Sequence, residues 1–358
     1  MSAKRSKEIP APAPVSSGDS SPDLARLIDL VSAFPRQTIV VVGDLVVDEF
    51  ISGEISRVSR EAPVLILRHR KTELRPGGGA NAVNNLVDLG ARVRPVGAVG
   101  DDAGGRDLLD YFRAKGVETS GIVRVPGWTT PTKSRFFAGW THTTEQQVLR
   151  VDREPASMLA KKRQRLLAEK ARQRVRGANA CLISDYGFGA ATPELAAKLR
   201  APIVTLDSRY SLQDYRNAGI TAATPNEAEL EALFHTRIGN DIQRLDTLGK
   251  KGLTQFGLAA LLVTRGKDGM ALFERGNPAR RIPIHGTDEA VDVTGAGDTV
   301  IAVFTLALAA GATYLEAAHI ANYAGGMVVM KRRTATVTRA ELEAALRADI
   351  TAAEGNPG

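Results

Sequence analysis

Short runs of apolar residues recur along the chain and are separated by stretches with the periodicity of amphipathic helices. The clearest runs lie at residues 39–42, 180–184, 203–206 and 261–264. Continuous apolar runs of this length are typical of strands buried on both faces, and parallel strands need crossover helices between them. The alternation therefore predicts an α/β fold, with a doubly wound, mostly parallel sheet that carries helices on both faces.

Three other apolar stretches, at residues 63–70, 132–137 and 146–151, are not followed by a helical pattern. Strands without crossover helices pair most simply with one another. We expect them to form a small antiparallel sheet beside the main one, as a lid whose strands lie within 51–75 and 130–152.

The two ends of the chain differ from the rest. The first 22 residues are rich in Pro and Ser and lack the apolar central segment of a signal peptide. We expect a disordered tail over residues 1–22, one large domain over 23–345 that opens with a short amphipathic helix, and a C-terminal tail over 346–358.

The composition is that of an ordinary soluble protein, with 43% hydrophobic and 24% charged residues. No apolar stretch reaches the roughly 18 residues needed to span a bilayer. The single cysteine, Cys181, excludes a disulfide framework, and its place in an apolar run favours an inert core thiol over a nucleophile. These features favour a cytoplasmic protein with no membrane partner.

The formal net charge is +7, and much of the local excess lies between Lys161 and Arg176. At helical spacing this segment has an apolar stripe, with its basic residues on the other face. We favour a solvated helix face over a nucleic-acid site, and therefore expect no nucleic-acid partner. The positive charge also helps to attract anionic phosphate substrates.

Several common catalytic motifs do not occur in the sequence. It contains no G-x-x-x-x-G-K-[ST] phosphate loop and no G-x-S-x-G nucleophile elbow, and its five histidines lack metal-ligand spacing. A dinucleotide fingerprint is disfavoured because Val300 stands where a third glycine belongs. Zinc-dependent and serine-dependent hydrolysis and dinucleotide binding are therefore disfavoured.

A glycine-rich turn, D-V-T-G-A-G-D at residues 292–298, opens the apolar segment 299–306, which is typical of a buried helix. Small residues let the backbone approach a ligand, and the N–H groups at a helix start bind anions. Asp298 would then lie where a phosphate meets an attacking hydroxyl and could act as a general base. Taken alone, the motif is equally consistent with a helix start whose acid interacts with the helix dipole.

A second glycine-rich turn, G-G-G-A-N at residues 77–81, also runs into a helix. Together the two turns resemble the signature segments of the PfkB (ribokinase-like) carbohydrate kinases, and the resemblance extends over roughly residues 39–342. It implies a ribokinase-like fold with a small β-sheet lid, and transfer of the γ-phosphoryl group of ATP to a sugar hydroxyl. It also implies Mg²⁺, leaves open a monovalent cation such as K⁺, and suggests a homodimer formed through the lid sheets.

The resemblance assigns roles to individual residues. Asp298 is the expected catalytic base, and the backbone of Gly295, Ala296 and Gly297 would stabilise the transferring phosphoryl group. The expected substrate-binding residues are Asp48, Gly78, Gly79, Asn81, Lys133, Arg135, Asp185 and Arg209. The expected nucleotide-binding residues are Asn226, Glu229, Thr264, Gly266, Asn322, Ala324 and Gly325. Asn226 and Glu229 form an N-x-x-E motif that would also hold Mg²⁺ through water; an ordinary acidic helix start is the alternative.

Within the family, the sequence is most similar to the D-glycero-β-D-manno-heptose-7-phosphate kinases. S-R-V-S-R-E-A-P-V at residues 56–64 resembles their S-R-I-S-P-E-A-P-V, and T-A-T-V at 334–337 matches a motif near their C-terminus. Two departures concern charge: Phe188 replaces the lysine of their D-Y-x-K-G, and their D-P-K-G becomes D-S-R-Y, with Arg209 at the lysine position.

The implied activity is therefore phosphorylation of heptose 7-phosphate to heptose 1,7-bisphosphate. We expect the kinase domain only, without the nucleotidyltransferase half that some relatives carry. Another phosphosugar or a nucleoside is the alternative acceptor. A catalytically silent sugar- or nucleotide-binding regulator on the same fold is the alternative function.

Overall fold

Helices and strands alternate through most of the chain. The computed structural model describes residues 22–140, 145–209, 212–286 and 290–354. The α-helices are α1 (Leu24–Ser32), α2 (Gly79–Asp88), α3 (Ala103–Ala114), α4 (Lys161–Arg174), α5 (Pro193–Ala196), α6 (Glu227–Phe234), α7 (Ile242–Gln255), α8 (Ala296–Ala309), α9 (Tyr314–Val329) and α10 (Arg339–Glu354). The strands are β1 (Thr38–Gly43), β2 (Leu45–Val58), β3 (Leu65–Gly78), β4 (Arg92–Gly100), β5 (Ile122–Val125), β6 (Thr132–Gly139), β7 (Gln146–Arg153), β8 (Ala180–Asp185), β9 (Val204–Ser208), β10 (Ala222–Ala223), β11 (Ala260–Thr264), β12 (Met270–Glu274) and β13 (Arg280–Ile282).

A nine-stranded sheet forms the centre of the molecule, in the order β13-β12-β11-β10-β9-β8-β1-β4-β5. In this sheet, the neighbours β5-β4-β1-β8-β9-β10-β11 pair in parallel, whereas β11, β12 and β13 pair antiparallel. The predicted doubly wound, mostly parallel sheet is therefore confirmed.

Strand β1 is buried at all six positions. Ile39 and Val41 pack into one core cluster with residues of α1, α2, α8 and α9, whereas Val40 and Val42 pack into a second cluster with residues of α4 and α7. Side chains alternate between the two faces of a sheet, so a strand covered on both faces needs apolar residues at consecutive positions. The apolar runs in the sequence follow from this double burial.

A four-stranded sheet in the order β3-β2-β6-β7 forms the lid. The pairs β2–β3 and β6–β7 are antiparallel, but β2 and β6 are parallel. The prediction of an antiparallel lid is therefore wrong for the central pair. Each of these two strands follows a strand of the main sheet, β1 or β5, so both leave the core in the same direction.

The lid strands also begin and end closer to the core than predicted. Strand β2 starts at Leu45, only one residue after β1, and β3 runs as far as Gly78, directly before α2. The first lid segment is thus longer than the predicted range 51–75. As a consequence, the core-proximal ends of β2 and β3 lie at the junction between the lid and the main sheet.

The C-terminal boundary differs from the prediction. Helix α10 crosses the predicted boundary between 345 and 346, and Leu342 and Leu346 are fully buried in the core. A helix that buries apolar side chains belongs to the folded domain, so the domain continues to Glu354. Residues 1–21 and 355–358, where the rest of the predicted tails lies, are outside the described residues.

Two smaller expectations concern Cys181 and the basic helix. Cys181 is fully buried, and burial raises the pKa of its thiol to about 12, so that it stays protonated and unreactive. Helix α4 buries Leu167 and Ala171 against the core. Among the described helices, none is long and apolar enough to cross a membrane.

Candidate active site

A cavity of about 470 Å³ lies where the carboxyl ends of β9, β10 and β11 face the lid and the start of α8. Open α/β sheets bind their ligands outside the carboxyl ends of the strands. The lid, the loop after β8, the strand ends and the turn before α8 all contribute to its lining: Asp48, Gly78, Lys133, Arg135, Gln147, Arg150, Tyr186, Asp207, Arg209, Thr224, Asn226, Glu229, Thr264, Val293, Thr294, Gly295, Gly297 and Asp298.

A smaller cavity of about 190 Å³ adjoins the first one, with Thr264, Val293 and Gly297 lining both. Its walls are mainly apolar and backbone surfaces: Thr264, Gly266, Lys267, Gly269, Met270, Ile284, Ala290, Val293, Ala296, Gly297, Val300, Asn322, Gly325, Gly326 and Val329. A small apolar cavity of this kind suits a flat heterocycle. The pair of cavities therefore has room for a flat heterocycle on one side and for a larger polar or phosphorylated group on the other.

The turn before α8 has a backbone geometry that requires glycine at position 295 but not at position 297. Gly295 caps the helix in the left-handed region, at φ 80°, and a Cβ there would lie 2.6 Å from the side-chain nitrogen of Asn81. Gly297, by contrast, faces open space. The N–H group of Ala296 already donates to the carbonyl of Val293 at 3.2 Å. The helix start thus presents its positive end at the junction of the two cavities.

Asp298 lies in the first turn of α8 and is 5% exposed. Its Oδ1 accepts a hydrogen bond from the hydroxyl of Tyr186 at 2.7 Å, and its Oδ2 accepts one from the side-chain amide of Asn81 at 3.0 Å. Burial raises the pKa of Asp298 to about 6, although the hydrogen bonds from Asn81 and Tyr186 oppose that rise. This pKa suits a general base that works near neutral pH.

A chain of side-chain hydrogen bonds fixes Asn81. Its Oδ1 accepts from the amide of Asn85 at 3.1 Å, and the Oδ1 of Asn85 accepts from the hydroxyl of Thr299 at 3.1 Å. Thr299 follows Asp298 on α8, so the chain returns to the same helix turn. Because the three residues are buried and satisfied, they hold the Asn81 amide in a single orientation toward Asp298.

Tyr186 is held from its backbone. The buried carboxylate of Asp44 accepts hydrogen bonds from the backbone N–H groups of Tyr186, Phe188 and Ala190, at 2.8, 3.0 and 2.9 Å. Burial is also the main reason that the pKa of Asp44 rises to about 7. Asp44 thereby shapes the loop after β8 so that the Tyr186 side chain reaches Asp298.

Asp48 and Arg135 form an ion pair in the lid, and both are buried. The guanidinium of Arg135 donates to Oδ1 of Asp48 at 2.6 Å, and the hydroxyl of Thr334 donates to Oδ2 at 2.8 Å. Asp48 therefore has only its remaining lone pairs for further hydrogen bonds. The charge of Arg135 is largely neutralised by this contact.

Lys133, Arg150 and Arg209 add positive charge to the cavity lining. The ammonium group of Lys133 lies 4.8 Å from the centre of the Tyr186 ring, and burial lowers the pKa of Lys133. Arg150 binds Asp152 through two hydrogen bonds of 2.7 and 2.5 Å. The cations on this face of the cavity suit an anionic group of a ligand.

Asn226 and Glu229 form a capping box at the start of α6. The side chain of Asn226 accepts from the Glu229 N–H at 2.8 Å, and Glu229 accepts in return from the Asn226 N–H at 2.9 Å. The helix-start interpretation of this motif is therefore realised in the structure, and both side chains also line the cavity. Burial raises the pKa of Glu229.

Asp207, at the end of β9, lines the same wall as Glu229. Burial raises the pKa of Asp207 well above its usual range, and the nearby charges of Asp298, Glu229 and Asp185 add to this effect. No cluster of three metal-binding side chains occurs among the described residues. Asp207, Asn226 and Glu229 offer two carboxyl groups and one amide oxygen in this lining, which is the donor chemistry of Mg²⁺ sites that keep several waters and bind substrate phosphates.

Four predicted site residues do not line either cavity. Asp185 accepts hydrogen bonds from the Gly187 N–H and the Tyr215 hydroxyl, both at 2.9 Å, and thus supports the loop after β8. Gly79 packs against the backbone of Asp44. Ala324 is fully buried in the core. Asn81 contacts Asp298 instead.

Three residues that sequence reasoning left without a role belong to this region. Tyr186 directly follows β8, Asp207 is the last residue but one of β9, and Thr334 lies far from Asp48 in the chain. The position of Asp207 at a strand end was a usable signal, since such residues face the ligand edge of the sheet. The contacts of Tyr186 and Thr334 depend on tertiary structure.

Comparison with known proteins identifies a family. The profile described as pfkB family carbohydrate kinase matches residues 36–341. The chain is 38% identical over 314 residues to the bifunctional protein HldE of Geobacter sulfurreducens, covering 86% of this chain and 62% of that protein. It is 40% identical over 324 residues to the bifunctional protein HldE of Mesorhizobium japonicum, covering 88% and 63%. The chain thus spans less than two thirds of the length of these relatives.

Solved structures share the fold at lower identity. Arabidopsis thaliana ribokinase complexed with ribose and ATP superposes with a TM-score of 0.67 at 19% identity, covering 87% of this chain and 98% of that one. Phosphofructokinase-2 from Escherichia coli in complex with fructose-6-phosphate superposes with a TM-score of 0.68 at 17% identity, covering 87% and 98%. These similarities establish the ribokinase-like architecture.

Proposed function

The chain belongs to the pfkB family of carbohydrate kinases, and from this premise we propose that it transfers the γ-phosphoryl group of ATP to a hydroxyl of a sugar phosphate. The observation that carries the proposal is the position of Asp298. It lies beside Gly297, which lines both cavities. Its side chain is buried and accepts hydrogen bonds from Tyr186 and Asn81, and its pKa of about 6 is close to neutral pH. A base at that junction can reach a hydroxyl aligned with the terminal phosphate.

In the proposed reaction, an acceptor hydroxyl oxygen attacks the γ-phosphorus while Asp298 takes the hydroxyl proton. The bond between the γ-phosphorus and the bridging oxygen breaks, and ADP leaves with the electron pair. The start of α8 lies at the transferring group and stabilises its charge through the helix dipole. Phosphoryl transfer depends mainly on such positioning and charge stabilisation.

We assign the smaller cavity to the adenine and the turn at residues 292–298 to the triphosphate. Asn322 borders that cavity and is fixed by a hydrogen bond of 2.8 Å from its amide to the carbonyl of Pro283. Asp207, Asn226 and Glu229 are the residues that would hold Mg²⁺. When bound there, the ion would neutralise the phosphate charge.

The proposed acceptor is heptose 7-phosphate. Its support comes from the motifs at residues 56–64 and 334–337 and from the positive charges of Lys133 and Arg209 in the cavity lining. Phe188 does not line the cavity, and its backbone N–H and carbonyl are bound by Asp44 and Leu159. In our proposal, the lid cations and Arg209 bind the phosphate, and no side chain at position 188 takes part.

We also propose a cytoplasmic homodimer. The lid exposes several large apolar side chains, and β7 is exposed at every position. The exposed residues of the lid and its β2–β3 connection are Val58, Val64, Leu65, Leu74, Val148, Leu149 and Val151. A second lid packed on this surface would cover them. ATP and sugar phosphates are intracellular metabolites, which supports the cytoplasmic location.

The test is a panel of acceptors incubated with the chain, ATP and Mg²⁺, with ADP release as the readout. It includes sugar 7-, 6- and 1-phosphates, the same sugars without phosphate, and nucleosides. We expect turnover with a heptose 7-phosphate to exceed that with its unphosphorylated sugar. Preference for a free sugar or a nucleoside would reject the acceptor but retain the kinase family. Repeating the assay with and without K⁺ tests the monovalent cation.

A further inference from the structure

The segment between α9 and α10 contacts the lid and the turn before α8 at the same time. Arg333 and Thr334 lie in this segment, and neither belongs to the two glycine-rich signature turns. Arg333 has φ 66°, a left-handed conformation that residues with a side chain rarely adopt. Backbone strain of this kind persists where surrounding contacts hold it in place.

The side chain of Arg333 reaches the lid. Its guanidinium forms an ion pair with Glu73 of β3, donates to the hydroxyl of Ser52 of β2 at 3.0 Å, and lies 3.7 Å from Glu145. It also lies over the ring of Phe50, 5.7 Å from the ring centre. The side chain is only 22% exposed. One cation therefore connects residues of two lid strands and the residue preceding β7.

The backbone of the same residue reaches the turn. The N–H group of Arg333 donates to Oδ2 of Asp292 at 2.8 Å, and Oδ1 of Asp292 accepts from the N–H group of Thr294 at 2.9 Å. Asp292 opens the turn that leads to Asp298. The left-handed backbone of Arg333 thus lets one residue direct its N–H group to the turn and its side chain to the lid.

We propose that Arg333 is a positioning residue that couples the lid to the turn at residues 292–298. With the lid in place on the acceptor, the Arg333 side chain is fixed, and its N–H group holds Asp292 and hence the turn in the geometry for phosphoryl transfer. Thr334 reinforces the link, because its hydroxyl binds Asp48 of the lid and its methyl group lies next to Gly295.

The first test is hydrogen exchange of the ligand-free full chain, which needs no acceptor. Arg333→Gly removes the side chain and tolerates the left-handed backbone. We expect faster amide exchange both in β2 and β3 and in residues 291–297, whereas Arg332→Ala, at the exposed neighbouring position, leaves both unchanged. Faster exchange confined to residue 333 and its neighbours, with the lid and the turn unaffected, would overturn the proposal.

The second test perturbs the lid end alone. Glu73→Gln removes the ion pairs of this β3 residue with Arg333 and with Lys71, and it leaves the Arg333–Asp292 hydrogen bond untouched. Coupling predicts faster exchange in residues 291–297 in this variant, and no further increase when Glu73→Gln is added to Arg333→Gly. An effect limited to the lid, or additive effects of the two changes, would show that Arg333 is only structural.

The kinetic arm rests on the proposed function and is read separately. With whichever acceptor the panel identifies, Arg333→Gly should lower kcat/KM for the acceptor by about tenfold and leave KM for ATP within about twofold. Equal losses for both substrates would reject the positioning role. A wrong acceptor removes only this arm, because the exchange results do not depend on it.

Discussion

The phenolic hydroxyl of Tyr186 donates a hydrogen bond of 2.7 Å to Oδ1 of Asp298, the expected catalytic base. Tyr186 comes from the loop after β8 and Asp298 from the start of α8, so the contact joins two elements that are distant in sequence. Burial raises the pKa of Tyr186 well above its usual range, and the negative charge of Asp298 adds to this. The Tyr186 hydroxyl therefore stays protonated, and remains a hydrogen-bond donor, at neutral pH.

Tyr186→Phe should shift the acidic limb of the pH profile of kcat to higher pH. The hydrogen bond favours the ionised form of Asp298, so its loss raises the pKa from about 6. A hydrogen bond to a charged group contributes about 1.5–3 kcal/mol, which corresponds to about one to two pH units. Activity should thus fall most at pH 6 and recover toward pH 8.

The control for this prediction is Tyr111→Phe, which removes a tyrosine hydroxyl that binds Asn84 away from the two cavities. Its pH profile should match that of the unchanged chain. If Tyr186→Phe also leaves the acidic limb in place, the hydrogen bond does not set the pKa of the base.

Asp298→Asn should keep nucleotide affinity and reduce turnover by about 10²–10⁴-fold, the usual effect of removing a general base. The change keeps the size of the side chain but removes its ability to take a proton. Turnover is measured with the best acceptor of the panel, and nucleotide affinity by calorimetry with ATP. A variant within threefold of the normal turnover is incompatible with the assigned role.

Lys133→Ala should raise KM for the phosphorylated acceptor by tenfold or more, about 1.4 kcal/mol, with little change in KM for ATP. Lys133 lines the larger cavity on the lid side, whereas the smaller cavity, which we propose for adenine, has no lid residue among the described residues of its lining. The matched measurement uses the unphosphorylated sugar, for which KM should change little. An equal change for both sugars means that Lys133 does not bind the phosphate.

Arg135→Ala should behave differently, although Arg135 lines the same cavity. Its ion pair with Asp48 is buried, and removal of the Arg135 guanidinium leaves the Asp48 carboxylate without a compensating cation. Such losses typically cost about 3–5 kcal/mol of folding free energy. We expect a marked decrease in the denaturant midpoint, compared with a small one for Lys133→Ala. Unchanged stability together with a raised KM for the phosphosugar would instead support direct phosphate binding by Arg135.

Light scattering at micromolar concentration should give the mass of a dimer. Leu149→Asp, in the exposed face of β7, should produce a monomer because a charge on that surface is costly to bury against a second lid. Ile242→Asp is the control, since Ile242 is an exposed apolar residue on α7 outside the lid. A chain that is monomeric before any substitution contradicts the proposed interface.

The sequence by itself determined the fold class and much of the candidate site. Apolar runs such as that of β1 predicted the buried parallel strands, because double burial leaves a direct trace in consecutive residues. The motif at 292–298 predicted the turn and Asp298, since a left-handed helix start and close backbone approach require glycine. Both signals are local, because the geometry of a strand or a turn depends on residues that are adjacent in the sequence.

Only the tertiary structure decided which distant side chains meet. The parallel pairing of β2 with β6 depends on where both strands leave the core. The apolar side chains of α10 are buried only because the core provides a surface for them, and the sequence of the helix does not identify that surface. The sequence predicts a sugar-binding role for Asp48 but not its two partners, Arg135 and Thr334, which come from two other parts of the chain. Hydrogen bonds and ion pairs between remote segments follow from packing in three dimensions, and therefore no periodicity or spacing along the chain reveals them.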